Sequence, residues 1–145
     1  MTTRRVTRTT VLPGSPESAR NAVMSPDVAP KIDPAVKQWT PDSEPIDVGT
    51  RFTIRGRLGI VPIRGVSEAV QWEPPNVAAF VSVKGSRPLR IVATHRFETS
   101  GTGTRYAWSM DFDGPRLLVT LAVRLFGRAI ERQQRTLSKY LDHSK

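Results

Sequence analysis

Apolar and polar residues alternate with a period of two over most of this chain and with a helical period over its last thirty or so positions. Residues 50–58 set Phe52, Ile54 and Leu58 against Arg51, Thr53, Arg55 and Arg57, the alternation of a half-buried strand. Residues 104–112 place Tyr106, Trp108, Met110 and Phe112 on one face and Arg105, Ala107, Ser109 and Asp111 on the other. Further strands are predicted over 5–12, 63–72, 77–83 and 89–99, with a short one over 35–39. Turn signals separate the later ones: Glu73-Pro74-Pro75-Asn76, Lys84-Gly85 and Ser100-Gly101-Thr102-Gly103. Strands about ten residues apart with turns between them make an antiparallel meander.

The closing stretch has another period. Pro115 suits the first turn of a helix, where its missing N–H costs nothing. From 116 to 141 there is no further proline and Gly127 is the only glycine. That is roughly 39 Å of helix at about 1.5 Å per residue. Val119, Val123, Phe126, Ile130, Gln133, Leu137 and Leu141 fall on one side, opposite Arg124, Arg128, Glu131, Arg132, Arg135, Lys139 and Asp142. Leu117, Leu121 and Leu125 lie on the basic side. The first half is therefore apolar nearly all round, and whether those leucines are covered is left open.

Between the first strand and the meander, residues 13–45 carry seven of the twelve prolines, which excludes a long regular element. Ser15-Pro16-Glu17 reads as a helix start, with Ala19, Ala22 and Val23 as its apolar face. Residues 27–31 allow one further helical turn. The order is thus strand, one or two short helices, a run of strands, then one long helix. It predicts an α+β fold in which a curved antiparallel sheet of six to seven strands wraps the last helix.

At 145 residues the chain is expected to form one domain over 1–145. It has no cysteine and two histidines, so neither a disulfide framework nor a metal site is expected, and no cofactor motif is present. No signal peptide or membrane span is visible, and a cytoplasmic location is expected. The net charge is +9, from 22 basic and 13 acidic residues. Such a balance suits anionic surfaces, but the arginines are dispersed. Nucleic acid is disfavoured because the aromatics that interleave with them are expected to point inward.

Strand parity collects the candidate site. Phe52, Ile54, Ile91, His95, Phe97, Tyr106, Trp108 and Met110 face one way, with Phe126 and Ile130 of the helix opposite them. Gly56 and Ala93 are small within that set and leave space for a pocket. His95 is the one titratable side chain placed there firmly. It would serve as a general base or orient a ligand carbonyl, or simply be paired in the core. Tyr106 would donate a hydrogen bond or act as wall. Glu68 shares the parity of Val66, Val70 and Trp72, but so does Arg64, and its direction stays open.

Several motifs, in this order, resemble the helix-grip superfamily of START-like, polyketide cyclase/dehydrase and birch-allergen proteins (SRPBCC). Val11-Leu12-Pro13-Gly14-Ser15-Pro16-Glu17 resembles its first strand running into a helix that begins at a proline–acid pair. Val48-Gly49-Thr50-Arg51-Phe52 resembles the glycine opening its third strand, and Trp72-Glu73-Pro74-Pro75 its central hairpin turn. Thr94-His95-Arg96-Phe97-Glu98 and Gly103-Thr104-Arg105-Tyr106-Ala107-Trp108 resemble its last two strands. The resemblance spans the whole chain. It departs at 27–32, where the family often carries a tryptophan and this chain has Asp27-Val28-Ala29-Pro30-Lys31-Ile32.

The resemblance implies an apolar cavity between sheet and closing helix. Members bind lipids, sterols or polyketides; a minority are cyclases or dehydratases, and a few act as toxins in toxin–antitoxin pairs. Three functions follow. The first is binding of a small hydrophobic molecule. The second is a cyclase or dehydratase using His95 with Tyr106 or Glu68. The third is a basic interaction protein, such as a toxin–antitoxin component, whose basic surface or whose leucines at the start of the last helix meet a protein partner, an anionic membrane surface or nucleic acid. Monomer and homodimer are both open.

Overall fold

The computed structural model describes residues 1–143. Strand β1 (Thr2–Pro13) leads into helix α1 (Pro16–Val23) and the single turn α2 (Ala29–Ile32). Then come β2 (Val36–Pro41), β3 (Arg51–Leu58), β4 (Val61–Glu73), β5 (Val77–Lys84), β6 (Arg90–Ser100), β7 (Gly103–Gly114) and helix α3 (Arg116–His143). The seven strands form one antiparallel sheet in the order β1-β7-β6-β5-β4-β3-β2. This is the α+β helix-grip arrangement: a curved sheet wrapped around a long C-terminal helix, with short helices near the N-terminus.

Local chemistry sets the joints. Ser15 caps α1 by accepting a hydrogen bond from Ser18 N at 3.1 Å, and Pro16 occupies the first turn. The ladder of β4 is irregular between Val66 and Ser67 and between Ala69 and Gln71. Such bulges bend a strand and increase its twist, which lets the sheet wrap.

The second irregularity also reverses strand parity. Ala69 is fully buried, yet so placed that Trp72, three positions on, packs against the same core. Glu68 is left on the outer face, where Arg51 Nε donates to its carboxylate at 3.0 Å.

Helix α3 lies across the concave face, and its buried stripe is Val119, Ala122, Gly127, Ile130, Gln133, Gln134, Leu137 and Leu141. Gly127 marks its close pass over β1, where a Cβ would come within 3.5 Å of the Val6 side chain. Gln134 Nε2 donates to the Arg8 carbonyl at 2.8 Å, and Arg8 Nε meets Glu131 at 2.8 Å. These polar contacts fix the rotation of α3 against the edge strand.

Two apolar clusters flank the grip. One joins α1, Ile32, Phe52, Phe97 and Tyr106 to Leu137 and Leu141. The other joins Val6, Met110 and Phe112 to Val119, Ala122 and Ile130. Trp108 packs against both.

Gly56 has a different role from the one its size suggested. A Cβ there would lie 1.8 Å from the Ala35 carbonyl oxygen. The glycine admits the backbone entering β2; it does not hollow the pocket.

Candidate functional site

Between the sheet and α3 lies a cavity of about 430 Å³. Its sheet wall includes Ile54, Phe80, Ile91, Ala93, His95, Trp108 and Met110, and its helical wall runs from Leu118 to Gln133. Those two α3 positions are roughly 22 Å apart along the axis at about 1.5 Å per residue. Leu118 is 39% exposed and Gln133 only 2%. The cavity therefore opens near the N-terminal end of α3, beside Leu58, Val61, Pro62 and Leu89, and closes near Gln133.

Seven of the ten residues expected to touch a ligand do line it: Ile54, Ile91, His95, Trp108, Met110, Phe126 and Ile130. Three do not. Phe52 is fully buried and stacked on Trp39 at 4.2 Å between ring centroids. Phe97 is fully buried and stacked on Tyr106 at 4.8 Å. Tyr106 itself lies behind the wall. All three share the inward parity, but they fall where α1 and the C-terminal turns of α3 fill the concave face. Glu68, the third catalytic candidate, is on the opposite side of the sheet.

The polar end of the cavity is built from β6, β7, α3 and the connection after α2. In the β6–β7 ladder His95 pairs with Trp108 and Phe97 with Tyr106. This places His95 and Tyr106 on one face as diagonal neighbours. His95 Nδ1 lies 2.7 Å from the Tyr106 hydroxyl, and Gln133 Nε2 reaches the same oxygen at 3.5 Å from α3. Burial pushes the His95 pKa down to about 3, so the imidazole is neutral at ordinary pH. Burial raises Tyr106 well above its usual value, the Gln133 hydrogen bond opposes this, and the Asp33 charge adds to it.

Asp33 is the residue the sequence did not single out. It follows α2, is 8% exposed, and lines the cavity. Its Oδ1 accepts a hydrogen bond from Ala35 N at 3.0 Å, and no cation pairs with it among the described residues. Burial raises its pKa to about 6, and the bond from Ala35 opposes the shift. The sequence signal was slight: an acid directly after the short second helix and directly before Pro34.

Among the described residues no group of histidine, cysteine or acidic side chains could hold a metal. Nor is any described helix long and apolar enough to cross a membrane.

The family described as "Polyketide cyclase / dehydrase and lipid transport" matches residues 3–142. Solved structures share the fold at low identity. A Thermus thermophilus protein superposes with a TM-score of 0.82 at 18% identity, covering 98% of this chain and 99% of that one. The di-domain ARO/CYC StfQ from the steffimycin biosynthetic pathway gives 0.81 at 10% identity, covering 98% of this chain and 51% of that one. A START superfamily protein from Mycobacterium smegmatis gives 0.80 at 12% identity, covering 97% and 99%. No curated protein sequence matches the chain.

Proposed function

Because the chain belongs to the polyketide cyclase/dehydrase and lipid transport family, we propose that it binds a small hydrophobic molecule in the cavity under α3. The observation that carries this reading is the cavity itself. About 430 Å³ is left open in a fold that otherwise packs Phe52, Phe97, Tyr106 and Phe112 to full burial. An apolar space of that size between close-packed clusters is a cost to stability unless something fills it. Binding rather than turnover is favoured by the state of the polar residues. His95 is held neutral and hydrogen-bonded, Tyr106 keeps its proton, and Glu68 is remote. None of them is poised to exchange protons near neutral pH.

Native mass spectrometry of the freshly purified protein tests the reading. The expected result is a non-covalent apolar adduct that organic extraction removes and that lowers the melting temperature when lost. A protein that carries no adduct and takes up no apolar probe would overturn it.

A second reading concerns how a ligand reaches the cavity. Leu117 is 85% exposed, Leu121 52%, and Ile60 at the β3–β4 tip 92%. Leu121 lines the cavity and Leu117 precedes the lining residue Leu118, while Ile60 adjoins the lining residue Val61. Exposed Arg57, Arg64, Arg116 and Arg124 accompany them. An apolar rim among arginines suits an anionic lipid surface, from which a greasy ligand would pass inward without crossing water.

A further inference from the structure

The walls of the cavity are mostly apolar, with Arg64, Ser67, Ser82 and Lys84 among the sheet residues, and the hydrogen-bonding groups at its closed end are unevenly satisfied. Gln133 Oε1 and Trp108 Nε1 are buried without partners, on side chains that both line the cavity. Asp33 has one backbone donor and no cation. Gln133 Nε2 donates toward the Tyr106 oxygen, which also lies 2.7 Å from His95 Nδ1. The closed end thus holds two acceptors, Gln133 Oε1 with no donor and Asp33 with a single backbone donor, and one N–H group without an acceptor, that of Trp108.

We propose that this end recognises a hydroxyl group, and that the ligand is an apolar alcohol or phenol seated hydroxyl-first. This rests on the reading that the cavity binds a hydrophobic molecule, and it names the class of that molecule. A hydroxyl donates once and accepts twice, so it can serve a member of each set. A carboxylate would bring a second negative charge beside Asp33 with no cation to relieve it. An ammonium group would suit Asp33, but it has no lone pair for the indole N–H. A hydrocarbon would leave Gln133 Oε1 and Trp108 Nε1 unpaired in a dry site, where such groups are costly.

Four probes that share one ring system separate the cases: 2-naphthol, 2-methylnaphthalene, 2-naphthoate and 2-naphthylmethylamine, each titrated at pH 7.5 by calorimetry or tryptophan fluorescence. The wild-type protein is expected to bind 2-naphthol about tenfold more tightly than 2-methylnaphthalene, with 2-naphthoate weakest. In Asp33→Asn the amide oxygen still accepts from Ala35 N, so the turn is kept. That variant is expected to lose several-fold in 2-naphthol affinity and to gain in 2-naphthoate affinity. Equal binding of all four probes overturns the hydroxyl assignment alone, as does tightest binding of the acid or the amine. Failure of all four to bind overturns both this assignment and the cavity reading. Circular dichroism of Asp33→Asn and the parallel variant Gln133→Leu shows which losses reflect folding. Gln133→Leu is expected to keep 2-methylnaphthalene binding and to reduce the 2-naphthol preference.

Discussion

The Tyr106 hydroxyl sits 2.7 Å from His95 Nδ1, and both side chains are buried. The pair ties two adjacent strands together, and burial keeps the imidazole, the only one lining the cavity, neutral. Because His95 titrates near pH 3 in the folded protein against about 6.5 when unfolded, the unfolded chain binds more protons between those values. Its neutral, buried state therefore contributes stability that is present above about pH 6.5 and is lost as pH falls toward 3. Chemical denaturation followed from pH 7 to 4 should show this loss, up to a few kcal/mol. His95→Asn should be less stable at pH 7 but have a flatter acid limb. An acid limb of equal slope in the two proteins would remove His95 as its cause.

Asp33 acts in the opposite direction. Its folded pKa of about 6 lies above the unfolded value of 3.8, so the ionised group costs stability as pH rises through that window. Asp33→Asn should therefore be more stable than wild type at pH 7.5, by about 1–3 kcal/mol, and the advantage should vanish below about pH 4. A melting-temperature comparison at the two pH values checks both halves. A destabilised variant at pH 7.5 would show that the carboxylate serves a structural partner and is not held ready for a ligand.

Gly56 faces the Ala35 carbonyl so closely that even a methyl group must displace backbone. Gly56→Ala should cost more than about 3 kcal/mol, and hydrogen exchange should speed up in β2 and β3 before the rest of the sheet. Wild-type stability in that variant would mean that β2 does not press on β3 as described.

The leucines at the start of α3 offer a test that leaves the core alone. Leu117→Ser with Leu121→Ser should leave the melting temperature within a degree or two, since both residues are exposed. Cosedimentation with vesicles containing anionic lipid should fall several-fold, and wild-type binding should weaken steeply with salt. Undiminished vesicle binding by the double variant would sever the rim from any membrane contact.

Alternation and the helical period were enough to place the meander strands and α3, because such elements have a face that must be dry. Helix α1 was legible from its Ser15-Pro16-Glu17 cap, and α2 only as a single turn allowed over 27–31. Strand parity located five cavity residues on the same logic, and the helical period added Phe126 and Ile130. Parity failed where geometry departs from a strict period or where the inward face is shared. The bulge near Ala69 and Gln71 turns Trp72 inward and strands Glu68 with Arg51 outside. Phe52, Phe97 and Tyr106 do point inward, but toward a filled half of the grip that no pattern along one strand can distinguish from the empty half. Asp33 was invisible for a third reason. It stands in a short connection with no period at all, and only the closure of α3 over it shows that it faces a cavity. Gly56 was legible as small, yet the Ala35 carbonyl that requires it to be small is a tertiary contact.

Filling the space directly asks whether it is the ligand site. Ala93 lines the cavity on β6, opposite Met110 in the ladder. Ala93→Phe projects a benzyl group into a void of about 430 Å³, which can take it without overpacking. The variant should melt at or above the wild-type temperature and should lose at least tenfold in affinity for 2-naphthol. A stable Ala93→Phe protein that binds 2-naphthol as tightly as wild type would place the ligand somewhere else.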